Sequence, residues 1–191
     1  MCGICGIINF NNTAAEARFI RQMMRIMKHR GPDDEGLLIE NNIGLGFVRL
    51  SIIDLSVNGH QPMTDPTGQF VIILNGEIYN YIELRQELVS KGYHFKSNSD
   101  TEVLLYSYIE WGKECLDKLN GMFAFSISGQ AFHLNPVGVM AIQKTGVSGN
   151  LFLIVPTTSR NRSLTSSGDL SAAEPVISFA MKSTIALQGC G

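Results

Sequence analysis

A cysteine stands second in the chain, in Met1-Cys2-Gly3, and becomes the first residue once the initiator methionine is removed. Processing favours a small residue after Met, and Cys is small. An N-terminal cysteine carries a thiol nucleophile and a free α-amino group on one residue, so the amine can serve as base for its own side chain. Another cysteine follows in Cys2-Gly3-Ile4-Cys5. Redox pairs of this spacing sit at a helix start after a strand, whereas Gly3 to Phe10 reads as an apolar strand. Residues three apart on a strand point to opposite faces and lie roughly 10 Å apart, beyond disulfide reach. With no second C-x-x-C and no spaced histidine pair, the pattern argues against zinc. Cys5 reads as a small buried hydrophobe. The four cysteines, Cys2, Cys5, Cys115 and Cys190, are too sparse for a secreted disulfide framework.

The elements that must position this nucleophile follow from periodicity and punctuation. Thr13-Ala14-Ala15-Glu16 has the form of a capping box and predicts a helix to about Lys28, with Phe19, Ile20, Met23, Met24 and Met27 on its apolar stripe. That methionine-rich stripe reads as core. Gly31-Pro32 ends the helix. Gly36 to Glu40 and Ile43 to Val48 predict a hairpin about Asn41-Asn42, and Leu50 to Leu55 a further short strand. Ser56 to Gly68, with Gly59, Pro62, Pro66 and Gly68, is a loop long enough to suspect function.

Phe70 to Leu74 is a buried strand running into Asn75-Gly76. Asn80-Tyr81-Ile82-Glu83 is a second capping box, whose helix Gly92 stops, and Ser99-Asp100-Thr101-Glu102 a third, whose helix ends at Trp111-Gly112. A short helix at Lys113 to Leu119 and a strand at Met122 to Ser128 complete the pattern. Strands joined by hairpins and loops, with helices in separate groups, predict an α+β layered fold with largely antiparallel sheet.

At 191 residues the chain holds one domain with a sizeable core, or one domain and a tail. A net charge of −2 leaves no electrostatic footprint for nucleic acid or an anionic membrane. Its longest strongly apolar runs, Val71 to Leu74 and Leu151 to Val155, fall far below the roughly 20 residues that span a bilayer. No basic segment precedes an apolar one at the start. The expectation is a cytoplasmic protein without nucleic-acid or membrane partners.

Five motifs stand together: Cys2-Gly3-Ile4-Cys5-Gly6, His29-Arg30-Gly31-Pro32-Asp33, Arg49-Leu50-Ser51-Ile52, Asn75-Gly76-Glu77-Ile78-Tyr79-Asn80 and Ser99-Asp100-Thr101-Glu102. In order and spacing, over residues 1 to about 128, they resemble the class II glutamine amidotransferase domain, an N-terminal-nucleophile hydrolase. Arg49-Leu50-Ser51-Ile52 and Asn75 to Asn80 favour the branch of glutamine-hydrolysing asparagine synthetases. The resemblance implies a four-layer αββα sandwich, incomplete on its C-terminal side.

It also implies the roles. Cys2 attacks the side-chain amide carbon of L-glutamine, giving a thioester and ammonia. Asn75, through its side-chain amide, and Gly76, through its backbone N–H, stabilise the oxyanion. Arg49 clamps the substrate carboxylate bidentately, and Asp100, at a helix start, pairs with the ammonium; helix capping is the other reading of Asp100. Leu50, Ser51, Ile52, Ile53 and Glu77 line the same pocket. His29, Arg30 and Asp33 brace the turn, and His60 reads as a surface histidine.

After Ser128 the character changes. Only Lys144, Arg160, Arg162, Asp169, Glu174 and Lys182 are charged, and helical caps disappear. Ser166-Ser167-Gly168-Asp169-Leu170-Ser171 superficially echoes a pyrophosphate loop, but in the wrong order and too early in the chain. The expectation is therefore an amidotransferase domain at 1–128 and a non-matching tail at 129–191, as truncation, frameshift or fusion would leave. This chain needs no cofactor or metal. ATP and Mg belong to the synthetase domain of an intact homologue, and a homodimer is implied as in intact relatives. Other readings are a silent remnant or interaction module, and the amidotransferase half of an enzyme with a different ammonia acceptor.

Overall fold

The structure, a computed structural model, describes residues 2–9 and 11–129 with their side chains, and residues 137–143, 151–155 and 176–180 as backbone strands. Met1, His133, Cys190 and the Ser166 to Ser171 segment lie outside the described residues.

Strand β1 (Gly3–Asn9) leads to helix α1 (Ala17–Met27), and β2 (Asp34–Glu40) and β3 (Ile43–Arg49) form the expected hairpin, with Asn41 at φ +49° in its turn. The two-residue β4 (Met63–Thr64) precedes β5 (Phe70–Ile78), after which come α2 (Tyr81–Ser90), α3 (Asp100–Trp111) and β6 (Gly121–Gly129). β7 (Val137–Gln143), β8 (Leu151–Val155) and β9 (Val176–Ala180) follow. Among the described residues the strands form two sheets. Sheet A has the order β2-β3-β1-β9 and sheet B the order β4-β5-β6-β7-β8, with every neighbouring pair antiparallel.

Period-two alternation turns each central strand into a divider between two layers. On β1 and β3, Ile4, Ile8, Ile43, Leu45 and Phe47 face inward and meet Val71, Ile73 and Ala124 of sheet B. The alternate residues Cys5, Ile7 and Val48 face outward onto Ile20, Met24 and Met27 of α1. On sheet B, Ile72, Leu74, Phe123, Phe125 and Ile127 face outward onto Leu84 and Leu88 of α2 and Val103 to Tyr106 of α3. The outcome is the expected αββα sandwich. Cys2 packs on the inter-sheet cluster and Cys5 on the α1 side, so the two thiols do face opposite layers.

Several local expectations fail for physical reasons. Thr13 caps nothing: α1 starts after Glu16, and the Thr13 backbone N–H and hydroxyl both donate to Asn11 Oδ1, closing a local turn instead. Phe19 is 42% exposed and lies under the Arg18 guanidinium, 4.6 Å from its ring centre, so the buried stripe of α1 is narrower than predicted. Asn80 sits at the α2 N-cap without a capping bond; its side chain bridges Lys118 O and the Asn120 N–H. Residues 50–55 form no strand. Only the third box caps its helix, with Ser99 Oγ accepting from the Glu102 N–H.

Candidate active site

Cys2 stands at the mouth of β1, half-buried, with its Sγ 3.4 Å from the Leu50 backbone N and 3.6 Å from Leu50 O. Burial pushes the thiol pKa above its ordinary value, opposed chiefly by the Leu50 N–H. A thiol raised in this way stays protonated near neutrality and needs a base to become nucleophilic.

The turn after α1 holds this end of the sheet. Arg30 Nε donates to Cys2 O at 3.0 Å. Gly31 lies so close to β3 that a Cβ there would stand 2.4 Å from Arg49 N. Asp33 donates its N–H to Arg49 O, and its carboxylate accepts from the Ser51 N–H at 2.8 Å. Arg30 and Asp33 therefore brace the turn as expected, while His29 is exposed and contacts Ile26 O.

Arg49 ends β3 and is 7% exposed. Its guanidinium donates to Ser56 O at 2.9 Å and to Asp54 O. This accounts for the missing strand at 50–55: the buried guanidinium takes the Asp54 and Ser56 carbonyls, so the chain turns around it. Gly59 completes the wrap, because a Cβ there would come within 2.2 Å of Arg49 Nη2. The wrap leaves Ile52 and Ile53 exposed, at 59% and 41%.

Sheet B brings the other pole. Asn75 shares the inward face of β5 with Val71 and Ile73, the residues that meet the cluster on which Cys2 packs. It is 4% exposed, and its Oδ1 has no hydrogen-bond partner among the described residues. A buried, unpaired amide oxygen costs about 1–3 kcal/mol, so its retention calls for a ligand or a function. Asn75-Gly76 is no turn: both residues lie inside β5, opposite Ala124 and Phe123. Gly76 has φ +146°, and a Cβ would stand 2.2 Å from Met122 O, so only glycine fits there. Glu77 is exposed.

Asp100 is the first residue of α3 and 5% exposed. Its Oδ2 accepts from the Ile78 N–H at 3.1 Å, and Ser99, not Asp100, is the capping side chain. Burial pushes the Asp100 carboxyl up to about 6, against the pull of the Ile78, Thr101 and Asp100 backbone N–H groups, while the Glu77 charge adds to the push. Such a carboxylate is primed for a cation.

Two linking residues escaped the sequence reading. Asp54 accepts from the Ser56 N–H at 2.8 Å and the Asn98 N–H at 2.9 Å, joining the Arg49 wrap to the segment before Asp100. Its Asp-x-Ser spacing is a turn signal that could have flagged it. Gln61 is buried between β5 and α3, and a glutamine before a proline carries no such signal. His60 is the surface histidine expected, 2.7 Å from Asp34 Oδ2.

A family model described as a glutamine amidotransferase domain matches residues 1–137. The chain is similar to asparagine synthetase [glutamine-hydrolyzing] 1 of Bacillus subtilis (strain 168), 43% identical over 160 residues, which are 80% of this chain and 25% of the relative. It is 42% identical over 128 residues to asparagine synthetase B [glutamine-hydrolyzing] of Escherichia coli (strain K12), covering 66% of this chain and 23% of that one. It thus spans about a quarter of the length of these curated relatives. Among solved structures, the glutamine phosphoribosylpyrophosphate amidotransferase of B. subtilis, complexed with ADP and GMP, shares the fold: TM-score 0.59, 21% identity, 73% of this chain and 37% of that one.

Proposed function

This chain belongs to the glutamine amidotransferase domain family, and from that premise we propose that it hydrolyses the side-chain amide of L-glutamine through a thioester on Cys2. Removal of Met1 frees the Cys2 amine, which takes the thiol proton that burial otherwise retains. The sulfur attacks the amide carbon, and the oxyanion is met by the Asn75 side-chain amide and the Gly76 N–H. The amine returns its proton to the leaving nitrogen, ammonia departs, and water, deprotonated by the same amine, cleaves the thioester to glutamate.

Arg49 holds the substrate carboxylate and Asp100 its ammonium, with Leu50, Ser51, Ile52, Ile53 and Glu77 around them. The observation that carries this reading is the seat of Cys2. Its sulfur rests on the Leu50 main chain, one residue from the buried Arg49, and the cluster beneath it belongs equally to the strand that carries Asn75.

The ammonia, in this proposal, goes to aspartate, because the curated relatives are named glutamine-hydrolyzing asparagine synthetases. Among the described residues no group of three His, Cys, Asp or Glu side chains is placed to hold a metal ion. ATP and Mg belong to the portion of the relatives that this chain does not span. No helix among the described residues is long and apolar enough to cross a membrane.

Glutamate release from glutamine tests the proposal. Cys2→Ala is expected to abolish turnover while leaving glutamine binding detectable, since the charge clamps remain. Wild-type turnover in Cys2→Ala, or active protein whose intact mass shows Met1 fully retained, would overturn it.

A further inference from the structure

We infer that Gln61 is a positioning residue of the hydrolytic site: its carboxamide ties the strand that presents Asn75 to the helix start that presents Asp100. The inference rests on the substrate roles proposed above for those two residues. Gln61 is 5% exposed. Its Oε1 accepts from the Leu74 N–H at 2.6 Å, and its Nε2 donates to Thr101 Oγ1 at 3.0 Å, in a bond buried at both ends. The amide orientation is unambiguous, because a backbone N–H can meet only the oxygen. Leu74 immediately precedes Asn75, and Thr101 immediately follows Asp100.

One arm has a structural explanation. β4 pairs only Met63 with Ile72 and Thr64 with Val71, and the same register continued places Gln61 opposite Leu74. Pro62 interrupts the strand, and the Gln61 side chain supplies the acceptor that a longer β4 would have offered. That need is met by an acceptor alone and does not call for a donor reaching Thr101.

The second arm turns a strand-end repair into a bridge between two substrate-holding elements. Its base belongs to sheet A. A Cβ on Gly36 of β2 would stand 1.8 Å from Gln61 O, and the neighbouring His60 is pinned to Asp34 of the same strand. Asp34 in turn sits opposite Arg49. Gln61 therefore sets Asn75 and Asp100 against the sheet that carries Cys2 and Arg49.

The two arms make separable predictions for the full chain. Thr101→Val cuts the arm to α3 and is expected to raise KM for glutamine about tenfold, the loss of one buried hydrogen bond, with kcat within about twofold. Thr101→Ser keeps the hydroxyl and should restore KM. Gln61→Met cuts both arms, so kcat should fall about tenfold as well, through Asn75. Lowered melting temperatures with unchanged KM and kcat, or equal behaviour of Thr101→Ser and Thr101→Val, would overturn the inference.

A readout without turnover separates this from the functional proposal. In NMR spectra of the unliganded chain, Thr101→Val should shift the Leu74 and Asn75 amide signals across the bridge, and Gln61→Met should accelerate Leu74 exchange. Unmoved Leu74 and Asn75 signals refute the bridge whatever the activity. Absent glutamine hydrolysis with those signals moved refutes the proposed reaction and leaves the bridge standing.

Discussion

The two halves of the sandwich are built on different principles. Between sheet A and α1 the packing is thin and rich in sulfur, with Cys5, Met24 and Met27 beside Ile7, Ile20 and Val48. Gly44 and Gly46 let the helix approach, since a Cβ at Gly46 would stand 2.6 Å from Ile20 Cγ2 and 2.7 Å from Cys5 Sγ. Between sheet B and α2/α3 the packing is thick and aromatic. Phe123 and Phe125 lie on the strand, and Tyr106 is tilted against Tyr93 and edge-on to Phe95, at ring separations of 5.1 and 5.0 Å.

The site residues follow the same division. On sheet A, the Cys2 sulfur and the Arg49 guanidinium are met by main-chain groups: Leu50, Ser56 O and Asp54 O. On the sheet B side, side chains tie the segments together: Asp100 to Ile78, Gln61 to Leu74 and Thr101, and Glu102 to the Ser97 N–H and hydroxyl. One half positions by close backbone approach and the other by bulk and buried polar links. Each should therefore fail to a different kind of substitution.

Deleting bulk should hurt sheet B most. Phe125 is fully buried, and Phe125→Ala is expected to cost about 3–5 kcal/mol in chemical denaturation, through lost transfer energy and a cavity. A cost under about 1 kcal/mol would erase the contrast between the halves. The next effect falls on the sheet A pole of the site. Arg49→Ala should weaken glutamine binding by about 2–5 kcal/mol, because it leaves the substrate carboxylate unpaired. Calorimetric titration into the Cys2→Ala background measures this without turnover.

On the sheet B pole the sign of a pH dependence is fixed by burial. The Asp100 carboxyl is raised to about 6, so the folded state holds its proton more tightly than the unfolded chain does. Its contribution to stability is present at low pH and is lost as pH rises through about 6. Asp100→Asn removes the penalty and should gain on wild type between about pH 4 and pH 7, by about 3 kcal/mol at the limit. Parallel stability curves for the two proteins across that window would show that Asp100 is not desolvated.

The smallest effect sharpens the comparison from the other side. Gly46→Ala adds one methyl where sheet A has no room, and overpacking of this kind costs about 1–3 kcal/mol. A stabilising Gly46→Ala, read from the melting temperature, would mean that α1 can retreat and that the thin layer is not a constraint.

Local chemistry was legible where one residue type has one physical consequence. Near-continuous apolar runs marked β1, β3, β5 and β6, because a strand between two layers is buried on both faces. Ser99 announced α3 because its hydroxyl reaches a backbone N–H only three residues away. The motif residues Cys2, Arg49, Asn75 and Asp100 stood out for the chemistry of their side chains, and Gly76 for a backbone N–H that no Cβ shields. Thr13 and Asn80 misled, since their oxygens and amides found nearer or better partners at Asn11, Lys118 and Asn120.

What the chain alone could not reveal is which distant groups satisfy one another. Residues 50–55 carry strand-forming residues, yet Arg49 takes the Asp54 and Ser56 carbonyls and turns the chain, and that competition is settled only when Gly59 closes behind the guanidinium. Gln61 meets Leu74 and Thr101, 13 and 40 residues away, and Asp54 meets Asn98 at a separation of 44. Sequence determined the candidate reacting groups and the layers, because covalent chemistry and side-chain period are local. Only the tertiary structure decided their spacing, because a buried polar group must find its partner wherever packing has brought one within about 3 Å.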